Sequence, residues 1–264
     1  MIGLFDSGVG GLSIFREIHQ LLPDQSTLYV CDQAHVPYGP RTHTEVRRFT
    51  TAMIQYLINK DANPIVIACN TASGAALQHV RKEFPETDFV GLVPAVKPAA
   101  ESTKSGRIGV LATAGTFRGK LYLHVKNEFA IDVVVYQETV PGLVEQIENG
   151  NIDSKKTRDI LEKALLPMLS KGIDRIVLGC THYPFAEKII QEIIGDEIQI
   201  VEPGEAVARR VQSILGNLPS DNNPEHQFLS TGDTSILKTA LERLLNMKNV
   251  EVQSLHWTID GKLV

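Results

Sequence analysis

Cysteine is scarce in this chain: Cys31, Cys69 and Cys180 are the only three among 264 residues, widely separated and without a CxxC pair. An odd, dispersed set of this kind builds neither a disulfide framework nor a zinc finger. Long apolar runs are lacking too, since no stretch approaches the roughly 18 uncharged residues that a membrane span needs. Residues 1–6, Met-Ile-Gly-Leu-Phe-Asp, reach an acid too early for a signal peptide. A cytoplasmic protein with no membrane contact is therefore expected. Positive charge is not in excess either. The 26 basic residues against 31 acidic ones give a net charge of −5, which argues against a general nucleic-acid surface. With 43% hydrophobic residues and only 13 prolines, disorder is excluded. The length suits one large domain or two modest lobes, and it suffices to bury a real core.

What the sequence does contain is alternation. Strand patterns at residues 1–5, 27–31, 65–68, 89–93, 108–111, 133–136, 176–178, 198–201, 228–229 and 250–255 are separated almost everywhere by helical spacing. In the first helix, over residues 12–22, Leu12, Phe15, Ile18 and Leu22 recur on one face and Pro23 ends the pattern. Such βαβα order predicts an α/β fold with mainly parallel sheets covered by helices on both faces. The nearly continuous apolar runs Pro-Ile-Val-Ile-Ala-Cys and Arg-Ile-Val-Leu-Gly-Cys suit buried central strands.

Two pairs of segments look alike. Residues 2–8, Ile-Gly-Leu-Phe-Asp-Ser-Gly, resemble residues 108–114, Ile-Gly-Val-Leu-Ala-Thr-Ala, and Val66-Ile67-Ala68-Cys69-Asn70-Thr71 resembles Val177-Leu178-Gly179-Cys180-Thr181-His182. The expectation is two similar lobes with a cleft between them at strand C-termini. Prolines at 94 and 98 mark a crossing and Pro203-Gly204 a return. The first lobe is placed at residues 1–95 plus 207–264, the second at 96–206.

Cys69 and Cys180 carry the chemistry in this reading. Each closes an apolar strand, is followed by Asn-Thr or Thr-His, and precedes a helix. Backbone N–H groups and the helix dipole at such a position favour thiolate, the form that acts as base or nucleophile. His182, two residues beyond Cys180, is placed to orient that thiol or exchange a proton with it. Cys31 has no repeated partner and is assigned to the core. Asp6-Ser7-Gly8-Val9-Gly10-Gly11 is a glycine-rich strand-to-helix turn, and one rival reading makes it a dinucleotide site with Asp32, 22 residues after Gly10, on the ribose; Ser13 then stands where the third glycine of GxGxxG belongs. A second rival, zinc held by Cys69, Cys180 and His182, has the ligand types but no familiar spacing. A third is a non-catalytic amino-acid-binding protein with the same cleft.

Taken in order, Asp6-Ser7-Gly8-Val9-Gly10-Gly11, Pro37-Tyr38-Gly39, Ala68-Cys69-Asn70-Thr71-Ala72-Ser73 and Gly179-Cys180-Thr181-His182-Tyr183-Pro184 resemble the glutamate racemases over nearly the whole chain. Shorter pieces are shared with aspartate racemase and related cofactor-independent racemases. The resemblance implies interconversion of L- and D-glutamate for bacterial peptidoglycan, with no cofactor, no metal and a homodimeric assembly. It implies that Cys69 and Cys180 are acid/base thiols on opposite faces of the substrate, supported by Asp6, Glu145 and His182. Asp6, Ser7, Tyr38, Gly39, Asn70, Thr71, Thr181 and His182 would line the substrate site. The loop that follows, Pro40-Arg41-Thr42-His43, is less characteristic of the family and is given no role.

Overall fold

Ten short β-branched runs pair into two sheets in a computed structural model that describes residues 1–216 and 221–264. The strands are β1 Ile2–Asp6, β2 Thr27–Cys31, β3 Ile65–Ile67, β4 Phe89–Gly91, β5 Arg107–Ala112, β6 Val134–Glu138, β7 Arg175–Gly179, β8 Gln199–Val201, β9 His226–Ser230 and β10 Val252–Ser254. They match the ten runs expected from the sequence to within a few residues at each end. Six form a sheet in the order β10-β9-β2-β1-β3-β4 and four form a second in the order β6-β5-β7-β8. Every pairing between these strands is parallel, as the intervening helices require.

The order β6-β5-β7-β8 repeats β2-β1-β3-β4 strand for strand. The two lobes are thus one topology used twice, with β9 and β10 extending the first sheet. β1 and β7 lie at or next to the centre of their sheets and are buried along their whole length. That burial explains why their sequences are nearly all apolar, and it makes the polar groups at their C-terminal ends conspicuous.

Helices close both faces. Leu12–Leu21 buries Leu12, Ile14, Phe15 and Ile18 and packs on Gly204–Leu215. His43–Asn59 starts with a reciprocal cap, Thr42 accepting from the Glu45 N–H while the Glu45 carboxylate accepts from the Thr42 N–H. It then packs on Asn70–Glu83. Among the described residues no helix is long and apolar enough to cross a membrane.

Candidate active site

The C-terminal ends of β1, β3, β5 and β7 meet where the lobes face each other, and each leaves a polar residue there. Ser7 follows β1, Cys69 follows β3, Thr113 follows β5 and Cys180 follows β7. All four line one cavity of about 250 Å³, smaller than the roughly 300–1,000 Å³ typical of drug-sized sites and suited to a ligand the size of an amino acid. Tyr38, Gly39, Asn70, Thr71, Glu145, Thr181 and His182 also line it, with Thr116, Thr139 and Tyr183. The sequence reading had not singled out Thr113 or its neighbour Thr116.

Cys69 caps the helix Asn70–Glu83, its Sγ accepting from the Ala72 N–H at 3.4 Å and from the Ser7 hydroxyl at 3.7 Å. Burial and then the Asp6 charge push this thiol up to about 12, against the pull of those two donors. The context of Cys180 differs. Its strand runs into a turn and a 3-10 segment, Tyr183–Ala186, before the helix Glu187–Ile194 begins, so Cys180 caps no α-helix. Its partner is a side chain instead: His182 Nδ1 lies 3.8 Å from Cys180 Sγ.

His182 is in turn bonded through Nε2 to Glu148 Oε1 at 2.5 Å. Burial works against a charged imidazole. The hydrogen bonds to Cys180 and Glu148, with the Glu148 charge, outweigh it and hold the His182 pKa well above its ordinary value. For Glu148 the same balance runs the other way: burial opposes its charge, but His182, Gln33 and the Val9 N–H win and its pKa is lowered. Val9 N donates to Oε1 and Gln33 Nε2 to Oε2, each at 2.9 Å. Glu148, not Glu145, is therefore the carboxylate behind the thiol. Glu145 lies one helical turn earlier on Leu143–Glu148, exposed at the cavity wall and with no hydrogen bond to Cys180 or His182. The expected support of the thiols by Glu145 is corrected accordingly.

Asp6 is fully buried behind the cavity wall rather than in it. It accepts from the Gly8 N–H at 2.9 Å and from the Thr181 hydroxyl of the other lobe at 3.1 Å. Burial raises its pKa to about 6, even though the His182 charge and those two donors favour the carboxylate. Because the folded chain holds this proton more tightly than the unfolded one, stability falls as pH rises from about 4 through 6 and stays lower above that. Asp6→Asn should accordingly raise Tm at pH 7.5 by about 2–6 °C, with the gain vanishing near pH 4 and activity reduced. Thermal scans at the two pH values check this; an unchanged or lower Tm at pH 7.5 would contradict it.

The glycine-rich turn serves lobe contact. A Cβ on Gly10 would sit 2.6 Å from both Thr181 Oγ1 and His182 Cε1, and one on Gly8 would collide with the Glu148 carboxylate. The space that a pyrophosphate would need is thus filled by the opposite lobe. Asp32, the acid of the dinucleotide reading, is fully buried and accepts from the Tyr38 hydroxyl at 2.7 Å, and from Thr231 and Trp257 at 2.8 Å each. It holds the Pro37-Tyr38-Gly39 loop in place rather than facing a ligand. Tyr38 thus reaches the cavity with its hydroxyl already committed.

The remaining polar wall is left open for a ligand. Asn70 is 5% exposed, and neither its amide nitrogen nor its oxygen has a hydrogen-bond partner. A buried amide in that state needs a guest to satisfy it. Beside it, the hydroxyls of Thr71, Thr113 and Thr116 lie within 2.8–3.3 Å of one another across the lobe boundary. Cys31, by contrast, is fully buried in the core with its pKa pushed up by burial, as assigned.

Comparison with known proteins agrees with this geometry. The Asp/Glu/Hydantoin racemase family model matches residues 2–211. A glutamate racemase of Ectopseudomonas mendocina is 42% identical over 247 residues, covering 92% of this chain and 94% of its own. Among solved structures, a glutamate racemase isoform of Bacillus anthracis superposes with a TM-score of 0.88 at 33% identity, covering 99% of this chain and 98% of its own. The Escherichia coli glutamate racemase, crystallised with L-glutamate and the activator UDP-MurNAc-Ala, does so with a TM-score of 0.85 at 30% identity, covering 96% and 97%. With a two-lobed parallel fold, a thiol from each lobe in one cavity, and these likenesses over nearly its full length, the chain belongs to the Asp/Glu racemase family, among its glutamate racemases.

Proposed function

We propose that this chain interconverts L- and D-glutamate by moving protons between the substrate α-carbon and two cysteines, supplying D-glutamate for peptidoglycan. The observation that carries the reading is the pair Cys69 and Cys180, contributed by opposite lobes to one cavity whose wall holds an unpartnered amide at Asn70. Inverting a stereocentre needs a base on one face and an acid on the other, and one side chain cannot easily serve both. In one direction Cys180, as thiolate against the His182 cation, takes the α-proton while the neutral Cys69 thiol delivers its own to the opposite face. The electron pair left on carbon is taken up by the new C–H bond, and the negative charge passes from Cys180 to Cys69. The reverse reaction starts from that swapped state.

The two thiols have unequal surroundings. Cys180 sits against an imidazole held cationic, whereas Cys69 is buried next to the Asp6 carboxylate, which disfavours a second negative charge. Asn70, Thr71 and Thr113 are the donors that would fix the substrate and stabilise carboxylate charge developing with the carbanion. Ser7 and the Ala72 N–H steady the Cys69 sulfur.

Lobe boundaries follow at 95/96 and 203/204. The helix Val96–Ser102 packs on β5 and β7, and the unbroken helix Gly204–Leu215 packs on Leu12–Leu21, so a cut at 206/207 would divide one helix. A cytoplasmic location and a homodimer complete the reading, supported by the family resemblance alone.

Incubation of the purified protein with L-glutamate in EDTA, without added cofactor, tests the activity. Optical rotation should decay to zero, and decay far more slowly with L-aspartate. Stable rotation with glutamate from folded protein would defeat the proposal, and faster decay with aspartate would reassign the substrate.

A further inference from the structure

The loop that followed the Tyr-Gly motif without a role, Pro40-Arg41-Thr42-His43, lies at the mouth of the cavity. With Arg118 it lines a second, open cavity of about 480 Å³, and Pro40 belongs to the walls of both. Arg41 and His43 come from the first lobe, and Arg118 ends the helix Ala114–Arg118 of the second. Cross-lobe contacts hold the group together: His43 Nε2 is 3.2 Å from the Gly115 carbonyl oxygen, and an Arg118 guanidinium nitrogen is 3.5 Å from the Arg41 carbonyl oxygen. Arg41 itself is pinned, donating through Nε to the His35 carbonyl at 2.8 Å with its guanidinium carbon 5.5 Å from the centre of the Phe49 ring.

No carboxylate lines this space. Glu45 binds the Thr42 N–H and hydroxyl from outside it and shares its charge with Arg41 and Arg48. In a chain of net charge −5, a pair of arginines at the doorway of the small reaction cavity runs against the general field. Charge concentrated at a cleft raises the local concentration of the opposite ion.

We propose that Arg41 and Arg118, with His43 as a neutral part of the wall, form a cationic antechamber that captures carboxylate substrate before it passes Pro40 into the reaction cavity. The inference rests on the glutamate reading, since glutamate near neutral pH carries two carboxylates against one ammonium and is a net anion.

Arg118 is the residue to change, because it is exposed and anchors nothing in the core. Initial rates for wild type, Arg118→Gln and Arg118→Glu are measured over a range of L-glutamate concentrations at low and high potassium chloride. KM should rise in the order Arg, Gln, Glu, reaching roughly 3- to 10-fold for the charge reversal at low salt. kcat should stay within about twofold of wild type, and high salt should bring the three KM values together. Lys155→Glu makes the same change of charge on an exposed helix elsewhere and should leave KM in place. If wild type racemises glutamate and Arg118→Glu keeps its KM and salt dependence, or shares its change with Lys155→Glu, the antechamber is refuted and the function stands. If wild type does not racemise glutamate, both fall together.

Discussion

Cys69→Ser and Cys180→Ser are each expected to lower glutamate racemisation by roughly 10³-fold or more in both directions, with the fold intact. A hydroxyl is a far weaker acid than a thiol, so serine can neither rest as the anion that takes the α-proton nor readily give one up to carbon. Each turnover uses both positions, whichever enantiomer binds, and the loss therefore cannot be confined to one direction. Both side chains sit in tight polar surroundings that a hydroxyl can enter: Ser7 and the Ala72 N–H at Cys69, His182 at Cys180. Tm should accordingly change by only a few degrees. Rates with purified L- and D-glutamate, with circular dichroism as the check on folding, decide it. A folded single variant retaining a tenth of the wild-type rate would remove that cysteine from the mechanism.

Glu148→Gln should cost on the order of 10²–10³-fold in kcat, while Glu145→Gln stays within about threefold of wild type. Glu148 accepts from three donors at once: His182, Val9 and Gln33. A glutamine keeps one acceptor, so it either turns its NH₂ on the His182 and Val9 N–H groups or keeps its oxygen there and makes the Gln33 amide turn its own oxygen over. The carboxylate that keeps His182 charged and aimed at Cys180 is lost as well. Since Val9 and Gln33 belong to the first lobe and Glu148 and His182 to the second, the lobes are also held less firmly. Paired kinetics on the two variants separate the roles. Equal effects at 145 and 148 would overturn the assignment of Glu148 as the support of His182.

The fold was legible because parallel strands buried on both faces must be apolar almost throughout. β1, β3 and β7 announced themselves in that way, whereas the partly exposed β6, β8 and β10 were legible only as short runs between helical patterns. The thiols were legible because each sits in a repeated segment. That repeat held more than was taken from it. Aligning residues 2–8 with 108–114 sets Thr113 opposite Ser7, and the structure places both hydroxyls in the cavity wall. Glu148 had a weaker signal. It ends its helix, where the dipole disfavours an acid, whereas Glu145 sits in the first turn, where an acid needs no partner. The costly position is the one with a partner across the lobe boundary. Gly8 and Gly10 could not be interpreted locally, because what crowds them most is Glu148, Thr181 and His182, more than a hundred positions away.

The account stands on two thiols acting from opposite faces, and incubation of the wild-type protein with L-glutamate in D₂O, stopped at a few per cent conversion, tests this most directly. The enantiomers are separated and the α-position of each is assayed for deuterium. Two thiols predict D-glutamate carrying deuterium nearly completely, because its proton comes from a sulfur equilibrated with solvent, while recovered L-glutamate retains its original hydrogen. A single shuttling base predicts otherwise: protium carried over into D-glutamate, or deuterium appearing in recovered L-glutamate as fast as in the product, would contradict the assignment of Cys69 and Cys180 to separate faces.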